Sequence, residues 1–324
     1  MRTDHLKLRH YRGHSDDAVL AEIARVDTGE PYSAEKIAYD LSVPGINQEK
    51  DITLCEMDGH VIGYSQVVID NVKDVRQGRL ISRLAKDTAL DQLAAREMLL
   101  WAARRMQDEI REDGRPVSII ELVKEEEFER REFLENSGFL AIRYYRIMIL
   151  RDAGKVVELP LPVNHTYIHG PGAQGAVEYV AMFNETWIDH YGFIPLTVES
   201  FLHDINDDPE YNPSLDIVVS RDDGRFVGFS FCRLEGPDAK LGEVMAIGTR
   251  RGSRGIGLGR AMLTHSVRQL VNSGATQVEL TVDSENPTGA ERLYESVGFE
   301  VTSMKRRYQL SQDGVIRLAT FSAC

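Results

Sequence analysis

The sequence predicts an α/β protein made of two similar domains in tandem. Three observations carry that expectation. At 324 residues the chain is long for one domain and comfortable for two. Two segments of the first half recur in the second half, in the same order. The second half also alternates helical and strand patterns, as layered α/β domains do.

Asp58-Gly59-His60-Val61-Ile62-Gly63-Tyr64-Ser65 is echoed by Asp223-Gly224-Arg225-Phe226-Val227-Gly228-Phe229-Ser230. In both, a DG pair introduces an alternating apolar strand, the signature of a hairpin. Leu134-Glu135-Asn136-Ser137-Gly138-Phe139 is echoed by Tyr294-Glu295-Ser296-Val297-Gly298-Phe299, and each GF leads into a β-rich tail ending at Leu150 or Leu310. The offsets are 165 (58 to 223) and 160 (134 to 294) residues, close enough to favour duplication. The stretch RDAGKVVELPLPVN, residues 151–164, has two prolines and mixed polarity and is the expected seam. The domains are expected at 1–155 and 156–324.

In the second half, 176–189 has helical periodicity and runs into a turn-rich stretch from His190 to Pro195. A short helix is expected over 197–205 with Thr197 as its N-cap. Strands follow at 215–220, 226–234 and 242–249. A helix over 259–272 carries Leu263, Val267, Leu270 and Val271 on one face, and Gly274 suits a left-handed cap. Residues 277–283 alternate as a strand. Asn286-Pro287 reads as the N-cap and first turn of a last helix, with Ala290, Leu293, Tyr294 and Val297 in one stripe.

Composition narrows the classes. At 42% hydrophobic and 27% charged the chain reads as soluble and globular. No apolar run is long enough to span a bilayer, and the N-terminus lacks a secretory apolar region, so no membrane partner and a cytoplasmic location are expected. Three scattered cysteines (Cys55, Cys232, Cys324) argue against a disulfide framework. The nine histidines include no H-E-x-x-H, and no metal is expected. A net charge of −13 disfavours nucleic acid as a partner. It suits a cationic small molecule such as an amine, though excess acid also simply keeps a protein soluble. A monomer or homodimer is expected.

The sharpest feature is RGIGLGRAML, residues 254–263. Gly255, Gly257 and Gly259 lie between a strand and a helix start, flanked by Arg250, Arg251, Arg254 and Arg260. Each glycine costs about 0.5–1 kcal/mol relative to alanine in a regular element. The unpaired N–H groups and dipole of a helix N-terminus favour an anion, and glycines let a phosphate approach the backbone. A tight turn needing positive φ is the plainer reading for any one of them. The spacing is not that of a nucleotide P-loop, because Arg260-Ala261 follows Gly259. Nor is it G-x-G-x-x-G, because Arg260 occupies the third glycine position. It is R-x-x-G-x-G, from Arg254 through Gly257 to Gly259.

That loop, followed by ENPTGAERLYESVGF at 285–299, makes residues 241–299 resemble the acetyl-CoA-binding segment of the GNAT acetyltransferase superfamily. The paired layout, with LGEVMAIG and RGIGLGRAML, is similar to the tandem group that includes mycothiol synthase and its relatives. Asn184 and Asp189-His190-Tyr191-Gly192-Phe193 also resemble the start of that group's C-terminal domain. The resemblance implies two tandem GNAT-like domains, each a mixed, mostly antiparallel sheet flanked by helices. It implies acetyl-CoA as co-substrate, held by Arg254, Gly255, Ile256, Gly257, Leu258, Gly259 and Arg260, with its arm along Met245, Ala246 and Ile247 and touching Asn286. It makes Glu243 the general base, against the plainer reading of an exposed strand carboxylate. It makes Tyr294 the acid that protonates the leaving thiolate, against a purely core role. Asp189, His190 and Tyr191 fall where family members line the acceptor site, although a surface turn explains them equally well.

The function implied is N-acetyl transfer to a primary amine of a small molecule by direct attack. A route through a cysteine nucleophile is not expected, since neither Cys232 nor Cys324 has a readable histidine partner. The alternative is a non-catalytic acyl-CoA-binding or regulatory tandem GNAT protein. The first half departs from the pattern. Gly78 is the only glycine between Asn71 and Gln107, and Leu134 stands where the second half has Tyr294. By resemblance it is a degenerate copy.

Overall fold

The computed structural model describes residues 6–85, 91–235, 238, 240–286 and 288–320. Pro287 and Cys324 lie outside them, as does 86–90, the place of a glycine-loop counterpart in the first half. The first half runs β1 (Leu6–His10), α1 (His14–Thr28), α2 (Ala34–Asp40), α3 (Gln48–Asp51), β2 (Ile52–Met57), β3 (His60–Val72), β4 (Val75–Leu84), α4 (Asp91–Asp113), β5 (Val117–Lys124), α5 (Phe128–Asn136) and β6 (Leu140–Leu150). The second runs β7 (His165–His169), α6 (Gly172–Trp187), α7 (Val198–Asp207), β8 (Asp216–Arg221), β9 (Phe226–Glu235), β10 (Leu241–Thr249), α8 (Leu258–Asn272), β11 (Gln277–Asp283), α9 (Ala290–Glu295) and β12 (Glu300–Leu310), then α10 (Gln312–Ala319). Apart from α3 and α10 the two halves share one element order.

Local chemistry explains the repeated landmarks. Asp58 and Gly59 both have positive φ (50° and 82°), as a two-residue hairpin turn requires, and they join β2 to β3. Gly138 and Gly298, at φ 93° and 105°, stop α5 and α9 and turn Phe139 and Phe299 into the interior. Thr197 caps α7 by accepting a hydrogen bond from the Ser200 N–H at 3.0 Å. The last-helix cap differs from the sequence expectation. Asn286 Oδ1 accepts from the Thr288 N–H and hydroxyl, closing a separate turn, and α9 begins only after Gly289 at φ 70°.

The chain forms two compact units, Met1–Arg143 with Lys305–Cys324, and Tyr144–Met304. In the first, the strand order is β1-β2-β3-β4-β5-β12, and only β4 and β5 are parallel. In the second it is β7-β8-β9-β10-β11-β6, and only β10 and β11 are parallel. Each sheet is therefore mixed and mostly antiparallel, with helices on its faces, as the resemblance implied.

The two halves exchange their last strands. In the first unit β12 pairs with β5, from Lys305↔Lys124 to Leu310↔Ile119. In the second, β6 pairs with β11, from Leu150↔Val278 to Tyr145↔Asp283. The units therefore part within β6 and β12, whereas the sequence placed one seam at 151–164. Side chains lock the exchange inside the first unit. Tyr308, fully buried, donates its hydroxyl to Glu135 at 2.6 Å, and Arg306 holds Glu125 at 2.7 Å.

The second unit has a core on each face of its sheet. Under α8 and α9 lie Val244, Leu263, Val267, Leu280, Tyr294 and Phe299. Under α6 and α7 lie Tyr179, Met182, Phe201, Val218 and Phe229. Each such side chain is worth about 1.5–3 kcal/mol when fully buried.

Candidate active site

The site starts from a fault in one strand. β10 follows β9 along its whole length, but its register shifts between Val244 and Ala246, leaving Met245 at the bulge. Its parallel register with β11 ends at Val244↔Leu280, while β11 continues alongside β6 to Asp283. From Met245 onward β10 and β11 therefore diverge, and the β11-facing backbone of Met245, Ala246 and Ile247 is outside the ladder. A bulge beside a parting pair of strands is a common way to aim backbone groups at a ligand.

β10 leads to Arg250 and then to the glycine loop. Gly255 and Gly257 have φ of 78° and 87°, and a Cβ at either would meet nothing within 4 Å. The left-handed backbone requires glycine, and the space in front of it is open. The positive φ is what the plainer, tight-turn reading requires, and the open space leaves room for a ligand in front of both glycines. Gly259 differs: it lies in the first turn of α8, and a Cβ there would sit 3.4 Å from Leu293 of α9. Among the described residues, the six backbone N–H groups from Gly255 to Arg260 have no hydrogen-bond partner; the Ala261 N–H is the first to bond, to the Gly257 carbonyl at 3.1 Å. Six adjacent donors at the N-terminus of a 15-residue helix make an anion cradle.

The flanking arginines divide by role. Arg250 is buried, donating to the Phe226 carbonyl at 2.7 Å and pairing with Glu178 and Glu185, so it braces the loop. Arg254 and Arg260 are exposed, and Arg260 reaches the Ser296 carbonyl at the end of α9, 2.9 Å away. A cavity of about 570 Å³ opens beside that turn, with Arg260, Arg151 and Lys155 in its wall.

Tyr294 packs with Val244 and Leu280, the last paired residues before the strands part, and meets Phe299 edge-on at 6.2 Å. It is 7% exposed, its hydroxyl has no partner among the described residues, and burial pushes its pKa up to about 12. The phenol therefore carries its proton at neutral pH. Glu243, half-buried, precedes Val244 on β10 and so projects from the opposite face of the sheet, in register with Arg233. Arg233 in turn donates to the buried Asp208 at 2.6 Å.

The turn at 189–191 lies against the loop. Both Asp189 oxygens accept from Arg251 Nη2, at 2.5–2.6 Å. His190 stacks on Trp187 with ring centroids 4.0 Å apart. Burial lowers the His190 pKa, opposed by Asp283 and Asp189 and assisted by Arg254. Tyr191 is exposed. Asn286 serves its own turn, its N–H donating to the Asp283 carbonyl at the end of β11 at 3.0 Å, and among the described residues it makes no hydrogen bond to the glycine loop.

One buried acid has no counterpart among the residues singled out from sequence. Asp216, at the start of β8, is 1% exposed; Tyr211 donates to its Oδ2 at 3.0 Å, and its Oδ1 has no partner. Burial lifts its pKa to about 6, with the Tyr211 bond pulling the other way. It aligns with Phe231, which aligns with Ala246, so it shares a row with the bulge. An aspartate opening an apolar strand carries no sequence signal of such a position.

Among the described residues, the first unit has the parting without the bulge or the tyrosine. β4 and β5 are parallel only from Arg76↔Val117 to Arg79↔Ile120, after which β4 runs on beside β3 in unbroken register. Leu134, fully buried, occupies the position of Tyr294.

Comparison with known proteins agrees with this geometry. Residues 179–299, within the second unit, match the Acetyltransferase (GNAT) family. Within that class, the chain is similar to the mycothiol acetyltransferases of Thermobispora bispora (40% identical over 96 residues, 28% of this chain and 32% of that one) and Kocuria rhizophila (38% over 86 residues, 26% and 28%). The match spans about a third of the length of these relatives. Over the whole chain, the fold is similar to a GCN5-related N-acetyltransferase from Sphaerobacter thermophilus (TM-score 0.69, 20% identity, 96% of this chain and 97% of that). It is also similar to a tandem GNAT protein from the clavulanic acid biosynthesis pathway (TM-score 0.69, 11% identity, 95% and 98%). At these identities the likeness concerns fold: two GNAT-like domains in tandem. Among the described residues no helix is long and apolar enough to cross a membrane.

Proposed function

We propose that this chain is an acetyl-CoA-dependent N-acetyltransferase that works through its second unit and acetylates a primary amine of a small molecule. The observation that carries the reading is the row of six unpaired N–H groups, Gly255 to Arg260, beside strands that part after Val244. A charge-assisted hydrogen bond contributes about 1.5–3 kcal/mol. Two or three to a pyrophosphate outweigh the cost of the glycines, about 0.5–1 kcal/mol each. Arg254 and Arg260 add positive charge, and Arg151 and Lys155 line the neighbouring cavity.

When bound, acetyl-CoA supplies a thioester whose acetyl group is open to an amine. Met245, Ala246 and Ile247 offer backbone donors and acceptors to the pantetheine arm and the thioester carbonyl, where negative charge develops. Glu243 takes a proton from the incoming ammonium through water, because an alkylamine of pKa near ~10 is mostly protonated at neutral pH. Tyr294 gives its proton to the departing sulfur. Asp189, His190 and Tyr191 border the acceptor's approach. The first half, with Leu134 in place of the acid, has a structural role.

The test has two arms. The chain is titrated with acetyl-CoA, ATP and NAD, and thiol release is followed with a panel of polyamine, aminoglycoside, peptide and cysteinyl pseudodisaccharide amines. Acetyl-CoA binding with acceptor-dependent thiol release is expected. Acetyl-CoA binding with no release across the panel favours the non-catalytic alternative, and tight ATP binding without acetyl-CoA binding overturns the assignment.

A further inference from the structure

A cluster of titratable side chains in the second unit has no part in this chemistry. His265, on α8 and 7% exposed, places Nδ1 2.6 Å from Glu158 Oε1 and Nε2 3.2 Å from Nε2 of His169 on the edge strand β7. His169, exposed, places its own Nδ1 2.9 Å from the Ser214 carbonyl oxygen. A carboxylate and a carbonyl oxygen only accept, so each Nδ1 is the donor. In their neutral forms both imidazoles then present an Nε2 lone pair to the other. Two lone pairs 3.2 Å apart repel unless something positive lies between them; the Gln269 amide, its Nε2 3.5 Å from His265 Nε2, stands at the outer limit of hydrogen-bond reach to one side. Tyr167 fixes the arrangement, its ring lying flat on that of His265 with centroids 3.8 Å apart and planes within 9°.

We propose that His169 and His265 bind a divalent transition-metal ion, of the zinc, nickel or copper class, through their two Nε2 atoms. Two imidazole nitrogens each ~2.0–2.1 Å from one ion at a tetrahedral angle lie roughly 3.3 Å apart, close to the observed separation. Glu158 on the far nitrogen of His265 stands where an outer carboxylate usually orients a metal-bound histidine, and the Ser214 carbonyl does the same for His169. Imidazole pairs favour these metals over calcium or magnesium. Among the described residues no third histidine, cysteine or acid joins them. The ion therefore keeps water in its open positions and is reached from the exposed side of His169. A proton is the other cation that fits between two lone pairs, and ring-nitrogen chemical shifts distinguish it from a metal ion. Sequence spacing conceals the pair: the two histidines are 96 residues apart. The nearer partner by sequence, His165, is four residues along the same strand from His169, about 13 Å away.

The test uses the full, untagged chain, stripped with a chelator and titrated with Zn2+ and Ni2+ by calorimetry at pH 7.5. One equivalent is expected to bind and to raise the melting temperature. His169→Gln, a substitution at an exposed position, abolishes both responses, and Glu158→Gln weakens binding by about 10-fold. Circular dichroism checks that both variants keep the fold. No binding by the parent chain, or equal binding in the parent and His169→Gln, overturns the proposal. So do nitrogen chemical shifts at pH 7.5 that show one imidazolium in the pair and do not move on adding Zn2+.

Discussion

Tyr294 is enclosed by the core and still has an uncommitted hydroxyl. A tyrosine retained only for packing can be exchanged for phenylalanine at little cost, since the ring does that work. A tyrosine that gives up a proton cannot. Tyr294→Phe is expected to lower kcat by about 100-fold or more while acetyl-CoA affinity is unchanged, the scale of a lost general acid. Steady-state kinetics beside a binding titration decides it, and unchanged kcat returns Tyr294 to the core. Glu243→Gln is expected to move the rise of kcat/KM to higher pH, where the amine is free without help; a profile that stays in place removes Glu243 from the reaction. Asp216 makes a prediction about stability. Its pKa in the fold, about 6, lies above the ordinary value of 3.8, so the native state binds its proton more tightly than the unfolded chain does. Its stabilising effect is largest at low pH and is lost as pH rises from about 4 to 6, a difference of roughly 3 kcal/mol at most. Asp216→Asn should therefore gain more in melting temperature over the parent at pH 8 than at pH 5. An equal gain at both pH values refutes the buried-acid account.

Elements were readable where one residue type has a single physical use. DG turns, GF helix stops and the Thr197 cap all depend on a local torsion or a local hydrogen bond. The glycine loop was readable for the same reason, and the structure divides its glycines into two held by positive φ and one lying in the helix against Leu293. Gly257→Ala tests that division. Alanine in the left-handed region costs about 1–2 kcal/mol, and any relaxation turns the first N–H groups of α8 out of line. Denaturant unfolding should show a loss of that size, and acetyl-CoA affinity should fall several-fold; an unchanged affinity would mean that the cradle does not hold the phosphates. Asn286 shows the limit of local reading. An Asn-Pro pair is a sound helix-start signal, but the Asn286 oxygen is taken by Thr288, and the helix waits for Gly289. Asp216 and the His169–His265 pair were not legible, because burial and convergence across nearly a hundred residues leave no periodic trace.

For the whole molecule, two-domain organisation could be read from the repeat, and the strand exchange could not. The tails 140–150 and 300–310 have the same length, follow the same GF stop and end in the same residue. Nothing local tells one which sheet to join; only the side chains facing it in the finished sheet do so, as Glu125 and Glu135 do for β12. It follows that 156–324 expressed alone lacks β6, leaving β11 with an uncovered edge, and that 1–155 alone lacks β12. Both fragments are expected to be insoluble or to unfold without a cooperative transition, because bare strand edges pair indiscriminately. Cooperative melting of isolated 156–324 with the parent's acetyl-CoA affinity would contradict this.

The exchange also puts the chain under a timetable. The strand that completes the first unit follows its partner by 181 residues, measured from Glu125 to Arg306. At ~5–20 residues per second of synthesis, the first unit waits roughly 10–40 s with β5 exposed before the ribosome delivers β12. The half that is made first is therefore finished last.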